Sequence, residues 1–314
     1  MFNKKNLGAG LIFLFFLLFP LFVKRNDLLD LVLLLFLYTT LAQSWNILGG
    51  FAGQVSLGHA AFFGMGSLVS RLLIERAVSF SLAFWAGGLG AVVLAAIIGL
   101  PVLRLKGIYF AIGTLGLALM TRITVINILP WVTFTPVKQL ADYSLIPRYY
   151  VALLLATLTV GIVYLIANSK TGLAMLTVRE NENAASASGV NVFKYKAIAL
   201  AISSFLAGLA GSLFSYYYTS FYYYIPFDLN WCFDPLLITF IGGIGTVIGP
   251  IIGVVLFVIL KEIFALSLGD VHSLLFGIIF ILVVLILPEG LIDVPRRFRN
   301  VSSRLLKRDM ISNS

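Results

Sequence analysis

Apolar residues in this chain fall into long blocks rather than strict alternation or a narrow helical stripe. Nine blocks can be drawn, at about 7–23, 28–48, 53–74, 80–102, 107–129, 149–167, 197–218, 235–260 and 271–288. Most approach or exceed the ~20 residues a helix needs to cross a hydrocarbon core about 30 Å thick. The pattern predicts an all-helical, polytopic membrane protein with no soluble domain of ordinary size. The first block, Leu7 to Val23, follows Lys4 and Lys5 as a signal peptide would, but it is long and has no small-residue cleavage pattern near Val23. It is expected to remain as the first membrane helix.

Two blocks are interrupted by glycine. "GGFAGQVSLGHAAFFGMG" (49–66) opens the third block, and "FIGGIGTVIGPIIG" (240–253) lies inside the eighth. Backbone freed from a helix at membrane depth has no water to bond, so it must pack in protein or line a cavity. Paired Gly/Pro interruptions in the two halves of a transporter mark discontinuous helices around a translocation path. Gly53, Gln54, Ser56, Gly58 and His59 in the first, and Gly242, Gly243, Gly245, Gly249 and Pro250 in the second, are therefore candidate pathway or hinge residues. The plainer alternative is close helix packing through small residues, and that is the reading adopted for Gly64 and Gly66.

Charge orients the blocks. With the N-terminus inside, Arg104, Lys106, Lys170, Arg179, Lys194 and Lys196 fall on the cytoplasmic side, while Lys24, Arg25, Arg71, Arg76, Lys138 and Arg148 fall outside. The bias has the expected direction. Nine crossings would leave the basic tail, 291–314, outside; a block 235–260 that enters, breaks and returns restores both termini to the cytoplasm. The net charge of +9 is thus explained by basic loops beside apolar spans, and no nucleic-acid partner is expected.

The longest polar stretch on that side is Asn168 to Lys196. Its centre, Leu173 to Ser188, is rich in Ala, Leu and Met and ends at Gly189, which suits a helix closed by a left-handed residue. Alanines at 184, 185 and 187 could enter a groove on a partner; a plain connecting loop explains the composition as well.

Candidate chemistry is sparse. One cysteine, Cys232, excludes an internal disulfide and a Cys-rich metal site. No G-x-x-x-x-G-K-[ST] loop is present to hold a nucleotide, and Ser, His and Asp are too scattered to suggest a nucleophilic enzyme. Every Asp and Glu falls in a loop or near a block end, which weighs against a proton-coupled secondary transporter; sodium held by backbone carbonyls at a broken helix stays open. His59 is read as satisfying a broken helix rather than touching solute or metal. Arg122 is read as snorkelling from a span that ends early.

The stretches "GQVSLGHAAFFGMG", "RLKGIYFAIGTLGLA", "VRENENAASASGVNVFKYKAIALAISSFLAGLAGSLFS" and "FIGGIGTVIGPIIG" together resemble the permeases of branched-chain (hydrophobic) amino-acid ABC importers, in particular their LivM-like members, over residues about 45–260. The resemblance implies a type II-like importer permease of about 9–10 membrane segments, some broken or re-entrant, within residues 1–290. It implies a bacterial inner-membrane location and a substrate such as a branched-chain amino acid. It also implies a second, LivH-like permease, two cytoplasmic ABC ATPase subunits that use the ATP, an external solute-binding protein and no cofactor of its own. Residues 168–196 would be the coupling loop, with Arg179, Glu182, Ala184, Ala185 and Gly189 at the docking positions. The chain departs from the family at "LPWVTFTPVKQLADYS", where a Thr-Gly-Gly stretch is usual, and at "YYYIPFDLNWCFDPLL". Both departures leave the substrate open, since urea, amides and other amino acids are carried by relatives with these motifs.

Overall fold

The computed structural model describes residues 4–23, 25–128, 143–218, 222–268, 277–278 and 290–293, and among them every regular element is a helix. Helix α1 is Lys4–Phe22, α2 Asn26–Trp45, α3 His59–Glu75, α4 Phe80–Leu94, α5 Ile108–Ile128 and α6 Leu145–Ala167. Two short helices follow, α7 Lys170–Glu180 and α8 Glu182–Ala187. Then come α9 Val192–Tyr217, α10 Asn230–Gly242 and α11 Gly249–Leu268. Helix α2 runs on through a π-helical turn, Asn46–Phe51, and α4 through a second, Ala95–Gly99, into Leu100–Val102. Among the described residues, five helical stretches are long and apolar enough to cross a membrane: Asn26–Phe51, Phe80–Val102, Ile108–Ile128, Leu145–Ala167 and Val192–Tyr217.

Small residues set the centre of the bundle. Helices α3, α4 and α9 pack mutually, and a Cβ added at Gly66 would strike the Gly208 carbonyl, while one at Gly211 would strike the Phe63 carbonyl. Such backbone contact between helices is what small residues permit where lipid supplies no hydrophobic drive for association. Gly66 is a packing residue, as expected, and Gly64 likewise lies against the Phe227 ring. Phe62 and Phe63 of α3 are fully buried, with the Phe63 ring 5.4 Å from that of Phe214 in α9, while Trp45 of α2 and Tyr149 of α6 fill the core elsewhere.

Side-chain contacts define two ends of the bundle. At one, called here the loop end, α7 and α8 meet the turn after α2, the α10–α11 connection and the start of α9. At the far end, the Phe80 and Tyr216 rings meet at a tilt with centroids 4.0 Å apart, Tyr143 Oη donates to the Tyr217 carbonyl, and Arg122 pairs with Asp228 at 3.5 Å. Helices α10 and α11 form an antiparallel hairpin. Gly290 lies against Gly243, its Cβ position 2.6 Å from the Gly243 Cα, so the chain returns to the loop end after α11.

Four sequence expectations change. The block at 53–74 is helical only from His59, because 52–58 climbs back from the loop end as non-helical backbone. The block at 235–260 is two helices whose break, Gly243 to Ile248, sits at the loop end rather than midway along the span. The helix expected over 173–188 is divided at Asn181, whose extended backbone (φ −161°, ψ 109°) closes α7 while its side chain accepts from the Asn183 and Ala184 amides to start α8. An asparagine that can bond the next two free N–H groups competes with helix continuation. Helix α5 does not end early: Arg122 lies well inside it and reaches Asp228 before α10. Of block 271–288 and tail 291–314, only 277–278 and 291–293 fall within the described residues.

Candidate functional site

The two glycine interruptions, about two hundred residues apart in sequence, meet at the loop end. The meeting is made by polar residues closing α2. Asn46 accepts from the Gly245 amide through Oδ1 at 2.8 Å and donates through Nδ2 to the Thr246 carbonyl at 2.8 Å. Gln43 Nε2 donates to the Val247 carbonyl at 2.6 Å. Three successive backbone groups of the second interruption, freed where α10 stops, are thus satisfied by two fully buried amides of α2. The three groups are part-buried, where one left without a partner costs up to about 1–3 kcal/mol, so the clasp helps make the break tolerable.

Its geometry admits no side chain at the crossing. Gly245 has φ +74° and its Cβ would fall on the Arg179 guanidinium; Gly53 has φ +69° and its Cβ would lie 3.0 Å from the Arg179 Cα. Beyond Gly245, Thr246 Oγ1 donates to the Gly243 carbonyl and accepts from the Gly249 amide, capping α11, with Pro250 in its first turn. Gly242 carries no Cβ because the Gly249 carbonyl occupies that space.

Arg179 ties the polar loop to this crossing. From the last turn of α7, Nη1 donates to the Gly50 carbonyl at 2.7 Å, beside Gly245. One guanidinium therefore touches both interruptions. The other loop candidates divide. Ala185 is fully buried, and Glu182 accepts from Lys196 Nζ, whose side chain is itself buried in α9. Ala184 and Ala187 are exposed, as are Leu173 and Phe193. Gly189, at φ +82°, closes α8 in a Schellman arrangement, with Gly189 N–H to the Ser186 carbonyl and Val190 N–H to the Ala185 carbonyl.

The remaining residues of the first interruption turn inward. Ser56 is buried; its hydroxyl accepts from the Gly58 amide and its carbonyl accepts from Trp45 Nε1 at 2.8 Å. Gly58 lies against the Thr114 backbone, 2.8 Å from the carbonyl at the Cβ position. His59 Nε2 meets Ser203 Oγ at 3.0 Å, and Ser203 Oγ donates to the Ser44 carbonyl at 2.7 Å. Since the hydroxyl proton is committed to Ser44, Nε2 carries the ring proton and donates. His59 is fully buried and joins α3 to α2 and α9, a structural placement. Gln54 Oε1 and His59 Nδ1 are buried acceptors without a partner among the described residues.

At the far end lies a feature the sequence hid. Asp234 of α10 and Lys261 of α11 pair at 2.9 Å, Tyr38 of α2 donates to Asp234 at 3.1 Å, and Lys261 Nζ donates to Tyr38 Oη at 2.7 Å. Asp234 and Lys261 read as block ends in sequence, yet they lie within helices and face a cavity of about 210 Å³. Among the described residues no cluster of metal-ligating side chains occurs.

Comparison with known proteins follows the same lines. The family described as the permease component of branched-chain amino acid transport systems matches residues 28–284. The high-affinity branched-chain amino acid transport system permease protein LivM of Escherichia coli (strain K12) is 28% identical, covering 88% of this chain and 72% of its own length. The probable LivM of Methanocaldococcus jannaschii is 26% identical, over 85% of this chain and 93% of its own. The LivH permease of Salmonella typhimurium is 23% identical, over 82% and 92% respectively.

Proposed function

The chain belongs to the family of branched-chain amino acid transport system permease components, and we propose that it forms half of an importer's translocation path for a branched-chain or other hydrophobic amino acid. The relatives' names supply the substrate class. The loop end would face the cytoplasm, with both termini, in a bacterial inner membrane. The chain would do no covalent chemistry and hold no cofactor; ATP would be used by two partner ATPases seated on α7 and α8. A LivH-like second permease would complete the path, and an external binding protein would deliver solute to the far end. Residues 1–290 would act as one permease domain, with 168–196 as its coupling loop and 291–314 as a basic tail.

One observation carries the coupling part of this reading: Arg179 links α7 to both glycine interruptions at once. A push on α7 from a closing ATPase would be felt first at Gly50, in the π-helical turn after α2, and at Gly245, in the non-helical break, neither of which has a side chain to wedge it. The Asn46 clasp would keep α2 and the α10–α11 hairpin together as they move, so the displacement would travel to the far end along rigid helices. The test is reconstitution. The tagged chain, purified in mild detergent, should bring down a P-loop ATPase and a second permease, and proteoliposomes holding the set should take up leucine only with internal ATP. Solitary purification, with uptake driven by an ion gradient, would overturn the reading.

A further inference from the structure

The far-end cavity is lined by charges of both signs and by aromatic rings. Asp228, Asp234 and Lys261 border it, with Tyr38, Trp231 and Ile225 on its walls. Its 210 Å³ is room for roughly seven waters at about 30 Å³ each, the scale of a small organic solute. The charged groups are not sealed against one another: the Lys261 side chain is 35% exposed and that of Asp228 36%. Lys261 donates to Tyr38 and Asp234, which leaves its third ammonium N–H without a hydrogen-bond acceptor among the described residues, with Nζ 5.3 Å from the Phe257 ring centroid.

We propose that this cavity is a receiving site for the zwitterion of an α-amino acid, its carboxylate on Lys261, its ammonium between Asp228 and Asp234, and its side chain against Trp231 and Ile225. A simple anion entering here meets two carboxylates, and a simple cation meets the ammonium; only a solute bearing both charges offsets both. Tyr38, stacked on Trp231 with ring centroids 5.8 Å apart, holds Asp234 in place, and Arg122 holds Asp228 from outside the cavity. Asn230 and Tyr224 at the rim are exposed, so the site opens toward the far end rather than into the bundle.

The proposal rests on the importer reading, and its test separates the two. The assembled importer in nanodiscs, without binding protein, is titrated with tritiated leucine, then with isocaproate and isopentylamine as competitors that each keep one charge. Saturable leucine binding is expected, with each one-charge analogue at least tenfold weaker. Ile225→Trp, which fills the cavity without touching the ion pair, should abolish the binding, and Lys261→Gln should erase the preference for leucine over isopentylamine. Analogues that compete as well as leucine, or binding indifferent to both variants, would overturn the site. So would absence of binding by an importer that still takes up leucine with ATP. An importer that takes up no amino acid at all would remove the functional reading, and the site with it.

Discussion

Arg179 and Gly50, 129 residues apart, are joined by a guanidinium-to-carbonyl hydrogen bond of 2.7 Å, and the same Nη1 occupies the space a side chain at Gly245 would need. A hydrogen bond from a charged group contributes about 1.5–3 kcal/mol, so loss of this one can change the balance of two conformations by tenfold or more. Arg179→Met keeps the stem of the side chain and removes the donor. Uptake by the reconstituted importer should fall at least tenfold while the ATPase still co-purifies. Loss of co-purification would make Arg179 a docking residue instead of an internal link.

The crossing of the two interruptions predicts a paired glycine experiment. Gly245 (φ +74°) and Gly107 (φ +55°) both have left-handed backbone, but a Cβ at Gly107 meets nothing within 4 Å, whereas one at Gly245 meets Arg179 and the Gly50 carbonyl. Backbone strain of about 1–2 kcal/mol is common to both alanine variants. Gly107→Ala should insert and transport nearly as wild type. Gly245→Ala should insert and lose most uptake, and equal behaviour of the two would show that the contact with Arg179 has no part in transport.

Asn46 invites a stability measurement. Asn46→Leu leaves the Gly245 N–H and the Thr246 carbonyl without their partner in a part-buried setting, at up to about 1–3 kcal/mol each. The thermal midpoint in detergent should drop by several degrees. Asn46→Asp keeps the acceptor for Gly245 N–H but sets a carboxylate against the Thr246 carbonyl, so it should lie at or below the leucine variant. A midpoint unchanged in both would mean the break is held from elsewhere.

The sequence made the helices, the two interruptions and the polar loop legible, because a run of apolar residues has one reading in lipid and a glycine cluster within it has few. It did not show that the interruptions touch. Gln43 and Asn46 sit at the close of a block and look like ordinary interfacial polar residues; only the bundle brings them to Gly245, Thr246 and Val247. Asp234 and Lys261 were missed for a related reason. Each lies next to the limit of an apolar block, and hydropathy cannot tell a residue that leaves the membrane from one that pairs across a hairpin. His59 was expected to satisfy a broken helix, and its ring bonds Ser203, whose hydroxyl is committed to the Ser44 carbonyl.

The loop offers the sharpest separation between residues that build a surface and residues that present one. Ala185 is fully buried and Glu182 is tied to the buried Lys196, so Ala185→Arg and Glu182→Gln should both damage the loop itself. The first introduces a charge with no room; the second leaves the Lys196 ammonium without its counter-charge, and breaking such a pair costs about 3–5 kcal/mol. Ala184 lies one position away on exposed α8. Ala184→Arg should therefore leave the thermal midpoint within about a degree of wild type, a surface change being worth at most ~0.5 kcal/mol. It should nevertheless prevent ATPase co-purification. If Ala184→Arg retains the ATPase and ATP-driven uptake, the partner does not rest on this face of α8, and the exposed Leu173 and Phe193 become the next positions to charge.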